Sequence, residues 1–143
     1  MNPNGREVRS RSAENVLSEI QYVVETFKPE TIYFGDEIFT VQKDRAMAIC
    51  QGLIDQGLHK KISWWSQTHV RCIDEELAQT MKLSNCSLMG LGIESGDEEK
   101  LKQMGKGTRF KDINRAVEII KKPGFLFKPF LCWASPMKRS NRR

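Results

Sequence analysis

Apolar residues recur along the chain with two alternating periods. Val16, Leu17, Ile20, Val23, Val24 and Phe27 fall at 3.6-residue spacing and form one stripe. Ser12 stands at the N-cap position, Glu14 in the first turn, and Pro29 closes the helix. The stretch "ETIYF" (30–34) is rich in β-branched and aromatic residues and predicts a strand. The pattern then repeats. Residues 43–56 predict a helix with Ala46, Ile49, Cys50, Leu53 and Ile54 facing inward and Gly57 as its C-cap glycine. "KISWW" (61–65) predicts a strand, in which Trp64 and Trp65 face opposite ways, one toward a barrel interior and one under helices. Asp74 caps a helix over 75–83, and Asn85 follows at a position that tolerates a left-handed backbone. "CSLMGLGI" (86–93) is the next strand. Helices over 97–104, ending at Gly105, and 109–121, capped by Thr108, precede a last strand at 125–133. Pro129 assigns that strand to an edge.

The order is α-β-α-β-α-β-α-α-β. Alternation with short connections implies parallel strands and right-handed crossovers. Two architectures fit: a doubly wound open sheet, or part of a (β/α) barrel. Either way the chemistry belongs at the C-terminal ends of the strands. Gly35-Asp36-Glu37 follows the first strand, Ser66-Gln67-Thr68-His69-Val70-Arg71 the second, and Glu94-Ser95-Gly96 the third. Acids, an amide, a histidine, an arginine and glycine-flanked backbone are therefore expected on one rim. Such a rim suits a polar small molecule carrying amine and hydroxyl groups.

Each of these groups also has a plainer reading. Ser95 and Glu98 match the S-x-x-E capping box. Asp36 and Glu37 can simply lead a loop into the next helix, and His69 can be a hydrogen-bonded loop histidine. Arg71 can pair with Asp74 on the surface. Lys106 in "GKG" lacks the spacing of a phosphate loop and reads as a solvated lysine.

Composition changes this picture little. Hydrophobic residues make up 39% of the 143 and charged residues 29%, ordinary for a globular domain. No apolar run approaches the roughly 20 residues of a membrane helix, and the N-terminus has no apolar signal region, so a cytoplasmic location is expected. Of the net charge of +5, four units lie in 137–143, which carries no acid, leaving +1 for the rest. A nearly neutral body (1–136) with a basic tail, expected to be disordered, argues against nucleic-acid binding. Cys50, Cys72, Cys86 and Cys132 are 22, 14 and 46 residues apart, with only two histidines. That spacing gives no self-contained zinc site and fits buried thiols of a reduced protein.

Four segments in series carry a resemblance: "GREVRSRSAENVLSEI", "IYFGDEIFT", "THVRCIDEELAQTMK" and "GLGIESGDEEKLKQMGKG". From residue 5 to about 125 the chain resembles the radical S-adenosylmethionine (radical SAM) enzymes, in the branch often found behind a cobalamin-binding domain. The resemblance implies part of a parallel (β/α)6 partial barrel, with about four strands here. It also implies SAM and a [4Fe-4S] cluster held by a CxxxCxxC loop, with cobalamin in a separate domain as a further candidate. An unknown small-molecule substrate and an electron donor follow as partners of the full enzyme, which makes a 5′-deoxyadenosyl radical. On this likeness Asp36 and Glu37 meet the methionine ammonium of SAM. Glu94, Ser95 and Gly96 meet its ribose or methionine end, or the substrate. Gln67, His69 and Arg71 face the same cavity, and Gly90 and Gly92 let ligand approach the backbone.

The departures are as informative. The CxxxCxxC motif is absent, and the four cysteines do not replace it. The chain is expected to be a fragment that begins just after that loop and is inactive alone. Near the other end, "FLCWASPMKRSNRR" keeps Pro136 of the family's I-x-G-x-P-x-E-T pattern but has Ala134 for glycine and no acid. Two other readings stay open: a non-catalytic domain that binds SAM or a partner, and an unrelated α/β barrel enzyme using Glu94 with Lys106 or His69.

Overall fold

The computed structural model describes residues 9–105 and 107–131. Lys106, the opening "GREV", Cys132, Ala134, Pro136 and the basic tail lie outside the described residues. Four strands, β1 (Thr31–Tyr33), β2 (Ser63–His69), β3 (Cys86–Glu94) and β4 (Leu126–Leu131), form one parallel sheet in the order β1-β2-β3-β4. Five helices connect or flank them: α1 (Ala13–Phe27), α2 (Lys43–Asp55), α3 (Glu75–Leu83), α4 (Glu98–Gln103) and α5 (Phe110–Lys121). Strand order follows chain order without reversal. Right-handed crossovers that all advance the same way place every crossover helix on one face of the sheet. A doubly wound sheet would need a reversal. The architecture is therefore a segment of a (β/α) barrel.

The burial pattern of β2 expresses this one-sidedness. Trp64, Ser66 and Thr68 are buried, and Ser63, Trp65, Gln67 and His69 between them are half-buried. Trp64 packs under the helices against Phe34 and Phe39, and its indole N–H donates to the carbonyl of Ser84 at 2.8 Å. Full burial of such a ring is worth roughly 1.5–3 kcal/mol, and the hydrogen bond removes the penalty on its polar edge. Ala46, Ile49 and Leu53 of α2, Leu77 and Met81 of α3, and Ala116 and Ile120 of α5 complete this core. Trp65 faces the concave side and stacks on Tyr33 with ring centroids 3.9 Å apart.

The caps follow local chemistry. Ser12 accepts from Asn15 N–H, and Asp74 from Leu77 N–H. Gly57, Asn85 and Gly105 adopt the left-handed backbone at helix ends, with φ of 67°, 68° and 65°. Among the described residues β4 pairs with β3 alone, and Pro129 stands in it opposite Leu91. Several expectations are corrected. β2 runs to His69 rather than stopping at Trp65. Phe27 is 68% exposed, in edge contact with Tyr22, instead of joining the core stripe. Short 3₁₀ turns at Phe39–Val41 and Leu58–Lys60 have no counterpart in the sequence pattern.

Candidate functional site

The three polar stretches do converge at the C-terminal ends of the strands. A cavity of about 800 Å³ there is lined by Glu37 and Ile38 after β1, by Gln67, Thr68, His69, Arg71 and Cys72, and by Gly92, Glu94 and Phe130. Five of the eight expected site residues thus share one space: Glu37, Gln67, His69, Arg71 and Glu94. Asp36, Ser95 and Gly96 are not among its lining residues.

Glu37 is carried over the rim by the residues after it. Phe39 is fully buried against Phe34 and Trp64, and the hydroxyls of Thr40 and Thr68 bond each other. The loop is thereby tied down to β2 two and three residues beyond Glu37. Gln67 donates from Nε2 to the Tyr33 hydroxyl at 2.7 Å, which fixes its amide on the concave face. His69 is held at both nitrogens. The Arg71 backbone N–H, which can only donate, bonds Nδ1 at 3.3 Å. In the neutral ring the proton is then on Nε2, which faces the Thr108 hydroxyl at 3.2 Å. A tight turn, Cys72 N–H to the His69 carbonyl at 2.8 Å, aims Arg71 at the cavity edge.

Glu94 ends β3 with φ of 71°, a left-handed conformation that glycine adopts freely and glutamate does not. A Cβ placed on Gly92 would stand 4.0 Å from Glu94 Oε1, so the carboxylate folds back above that glycine. At Gly90 a Cβ would stand 2.4 Å from the Phe130 ring and 3.1 Å from Gln67 Cγ. Glycine there lets the ring lie across β3 and close one wall. The sequence placed Phe130 on the last strand, and Ile38 and Cys72 inside segments that carry the resemblance, but marked none of the three as a site residue.

The other expected residues are placed elsewhere. Asp36 lines a separate cleft of about 420 Å³ between α1, β1 and residues 9–11, and its Oδ1 is 3.6 Å from Arg45 Nη1. Ser95 is buried and accepts from the Asp97 N–H at 3.1 Å, while Gly96 is exposed. The S-x-x-E capping box at Ser95 is not formed. Asp97 caps α4 instead, accepting from Glu99 N–H at 2.9 Å, because it sits nearer the first turn. Arg109 occupies the N-cap of α5, leaving Thr108 for His69. Asp74 pairs with Lys43 at 2.9 Å rather than with Arg71, whose guanidinium lies against Gly107. Lys106 lies outside the described residues.

The described thiols, Cys50, Cys72 and Cys86, do not fit an iron–sulfur cluster. Among the described residues no three His, Cys, Asp or Glu side chains form a group that could hold a metal. Cys50 and Cys86 are buried in the helix-side core. Burial pushes the Cys50 thiol up to about 11, with the Ser84 hydroxyl opposing. Burial, then the neighbouring Cys50, raises Cys86 further. Thiolates are the ligands of such clusters, and this environment disfavours them. Cys72 lies at the rim, its thiol raised by burial and partly lowered by Arg71. No helix among the described residues is long and apolar enough to cross a membrane.

Comparison with known proteins agrees with this geometry. The family model described as "Radical SAM superfamily" matches residues 1–130. The chain is 32% identical over 120 residues to an uncharacterized methyltransferase, PH0819, from Pyrococcus horikoshii, covering 84% of this chain and 26% of the relative. It is 25% identical over 118 residues to an anaerobic magnesium-protoporphyrin IX monomethyl ester cyclase from Cereibacter sphaeroides, covering 81% and 19%. The chain thus spans about a quarter or less of the curated relatives it matches. In fold it resembles the cobalamin-dependent S-adenosylmethionine radical enzyme OxsB, with TM-score 0.77, 21% identity and 86% of this chain against 20% of that one. It also resembles the radical SAM methyltransferase TsrM from Kitasatospora setae, solved with cobalamin and a [4Fe-4S] cluster, with TM-score 0.74, 16% identity and coverages of 85% and 25%. Four parallel strands in sequential order, a polar cavity at their C-terminal rim and a family match over nearly all described residues agree: the chain belongs to the radical SAM superfamily.

Proposed function

We propose that this chain forms the S-adenosylmethionine-binding part of a radical SAM enzyme's barrel, with the ligand's methionine end at the rim cavity. The observation that carries this is the joining of Glu37, Glu94 and Arg71 around one space with Gln67 and His69. SAM presents an ammonium, a carboxylate and a sulfonium. Two acids and one arginine match that charge pattern, and charge-assisted contacts of this kind are the strong ones. Glu37 receives the ammonium, and Arg71 faces the carboxylate. Glu94 and Gln67 offer acceptors to hydroxyls or to the sulfonium side.

The [4Fe-4S] cluster, which supplies the electron for cleavage when bound, is held in this proposal by cysteines outside this chain. An electron donor, a substrate and cobalamin in a separate domain belong to the whole enzyme. The methyltransferase relative supports methyl transfer as its reaction class, with the reaction of the cyclase relative as the alternative. Free thiols at Cys50, Cys72 and Cys86 suit a reducing, cytoplasmic compartment.

Ligand-observed NMR titration with SAM tests the site, because it reads millimolar affinities. Glu37→Gln is expected to weaken SAM more than tenfold, the loss of a charged hydrogen bond worth roughly 1.5–3 kcal/mol. An unchanged affinity would remove Glu37 from the site. Sub-micromolar SAM binding by the chain alone would favour a domain that binds SAM without radical chemistry.

A further inference from the structure

Asp36 and Glu37 are adjacent, yet they face different spaces. Glu37 lines the rim cavity, while Asp36 lines the cleft beside α1 together with Arg45. Arg45 stands in the first turn of α2, and its side chain is only 14% exposed. Withdrawing a guanidinium that far from water is costly unless its donors are used. One hydrogen bond and one ion pair offset that cost. Nε donates to the backbone carbonyl of Arg11 at 2.8 Å, and Nη1 lies 3.6 Å from Asp36 Oδ1.

The Arg11 end of this bridge is itself anchored. The Arg11 side chain bonds Asn15 and Glu19 on α1. Beside it, the Ser10 hydroxyl donates to Gln42 Oε1 at 2.7 Å, just ahead of α2. One planar fork therefore joins three stretches: the segment entering α1, the loop after β1, and the start of α2. A lysine has no such fork to span a carbonyl and a carboxylate together.

We infer that Arg45 is a positioning residue. Through Asp36 it sets the direction of the neighbouring Glu37, and through Arg11 it locks that loop to the segment entering α1. Neither Arg45 nor Asp36 lines the rim cavity, so both act through Glu37 rather than on the ligand. This rests on the reading of Glu37 as the acid that meets the ammonium of SAM.

The test compares the wild-type chain with Arg45→Met, Asp36→Asn, the double variant and Arg45→Lys. Two probes are titrated by ligand-observed NMR: SAM, and methylthioadenosine, which lacks the ammonium and carboxylate. Each single variant is expected to weaken SAM about tenfold, the coupling typical of groups in one polar network. The double variant is expected to be no weaker than either single, and Arg45→Lys to recover only part of the loss. Methylthioadenosine affinity should change less than about twofold, because that probe lacks the charged groups whose contacts are at stake. Amide hydrogen exchange should rise in residues 9–12 and 36–38 and stay unchanged in α3 and α5. Equal losses for both probes would mean general loosening and overturn the inference, as would losses that multiply in the double variant. Unchanged SAM affinity in the singles would overturn it too. A wild-type chain that shows no preference for SAM over methylthioadenosine would overturn the underlying reading of Glu37 before any variant is made.

Discussion

The contact between α1 and α2 turns on one missing methyl group, and its energetics can be worked through. A Cβ on Gly52 would stand 2.2 Å from Leu17 Cδ1, 3.0 Å from Cδ2 and 3.1 Å from Cγ. Carbon contacts are comfortable at about 3.5–4.0 Å. A rotamer change can withdraw one methyl, but Cγ must move as well, and Leu17 is 7% exposed within the core. Overpacking of this kind costs about 1–3 kcal/mol. Against it, alanine is favoured over glycine inside a helix by about 0.8–1.0 kcal/mol. The steric term wins, so Gly52→Ala is expected to destabilise by about 1 kcal/mol. Leu17→Ala alone costs about 2–5 kcal/mol. In that background the new methyl enters vacated space. It then gains helix propensity plus roughly 0.8 kcal/mol for a buried methylene-sized group, so Gly52→Ala becomes stabilising by about 1–2 kcal/mol. The sign reverses, with a coupling of about 2–3 kcal/mol. Urea unfolding of the four proteins, followed by far-ultraviolet circular dichroism at about 25 °C, measures it. A Gly52→Ala chain more stable than wild type, or a coupling below about 0.5 kcal/mol, would refute the steric account.

Two further outcomes are expected. Asp74 caps α3 and pairs with Lys43. Burial pushes its carboxyl up, but the Leu77 N–H and Lys43 outweigh it, so it sits below its ordinary 3.8. A depressed folded value means the stabilisation is present above the unfolded value and is lost as pH falls through the folded one. Asp74→Asn keeps the cap without titrating, so its urea midpoint should fall less between about pH 5 and pH 2 than that of wild type; parallel curves would contradict this. In thiol mapping with Ellman's reagent at about pH 8, Cys72 should react in the native chain, and Cys50 and Cys86 only in denaturant. Labelling of Cys50 or Cys86 at the rate of Cys72 would show that the helix-side core is not closed.

Periodicity and capping residues were enough to place most elements. The stripe of α1, Ser12, Pro29, Gly57, Asn85 and Gly105 all act locally, through backbone geometry and hydrogen bonds within a few residues. The end of β2 was hidden for a different reason. Its buried positions beyond Trp64 are Ser66 and Thr68, so polarity mimics a loop although the twofold alternation continues to His69. Thr68 is tolerated there because Thr40, 28 residues earlier, bonds its hydroxyl. The Lys43–Asp74 and Arg45–Asp36 pairs were invisible for the same reason: only the assembled sheet brings α2 beside both loops. Periodicity alone left barrel and doubly wound sheet open; the resemblance implied the barrel, and the unreversed strand order agrees with it.

The stretch "GLGIESG" shows how far composition and geometry can part. Its glycines look equivalent in sequence, and a ligand approaching the backbone would account for all of them. In the fold they differ. Gly90 is required by the Phe130 ring, whereas a Cβ at Gly92 would make only ordinary contact, 3.6 Å from the Thr68 carbonyl oxygen. Gly96 is exposed, and a Cβ there would have nothing within 4 Å. The residue that takes a left-handed backbone is the glutamate between them. A charged side chain held at positive φ costs on the order of 1–2 kcal/mol relative to glycine. That conformation turns the carboxylate back over Gly92 and into the space it shares with Glu37 and Arg71. The positive φ falls where the β3–β4 ladder shifts register between Gly92 and Glu94, so the irregularity that ends the strand is also what turns the one acid of the segment toward the rim, while the flanking glycines stay outside the left-handed region.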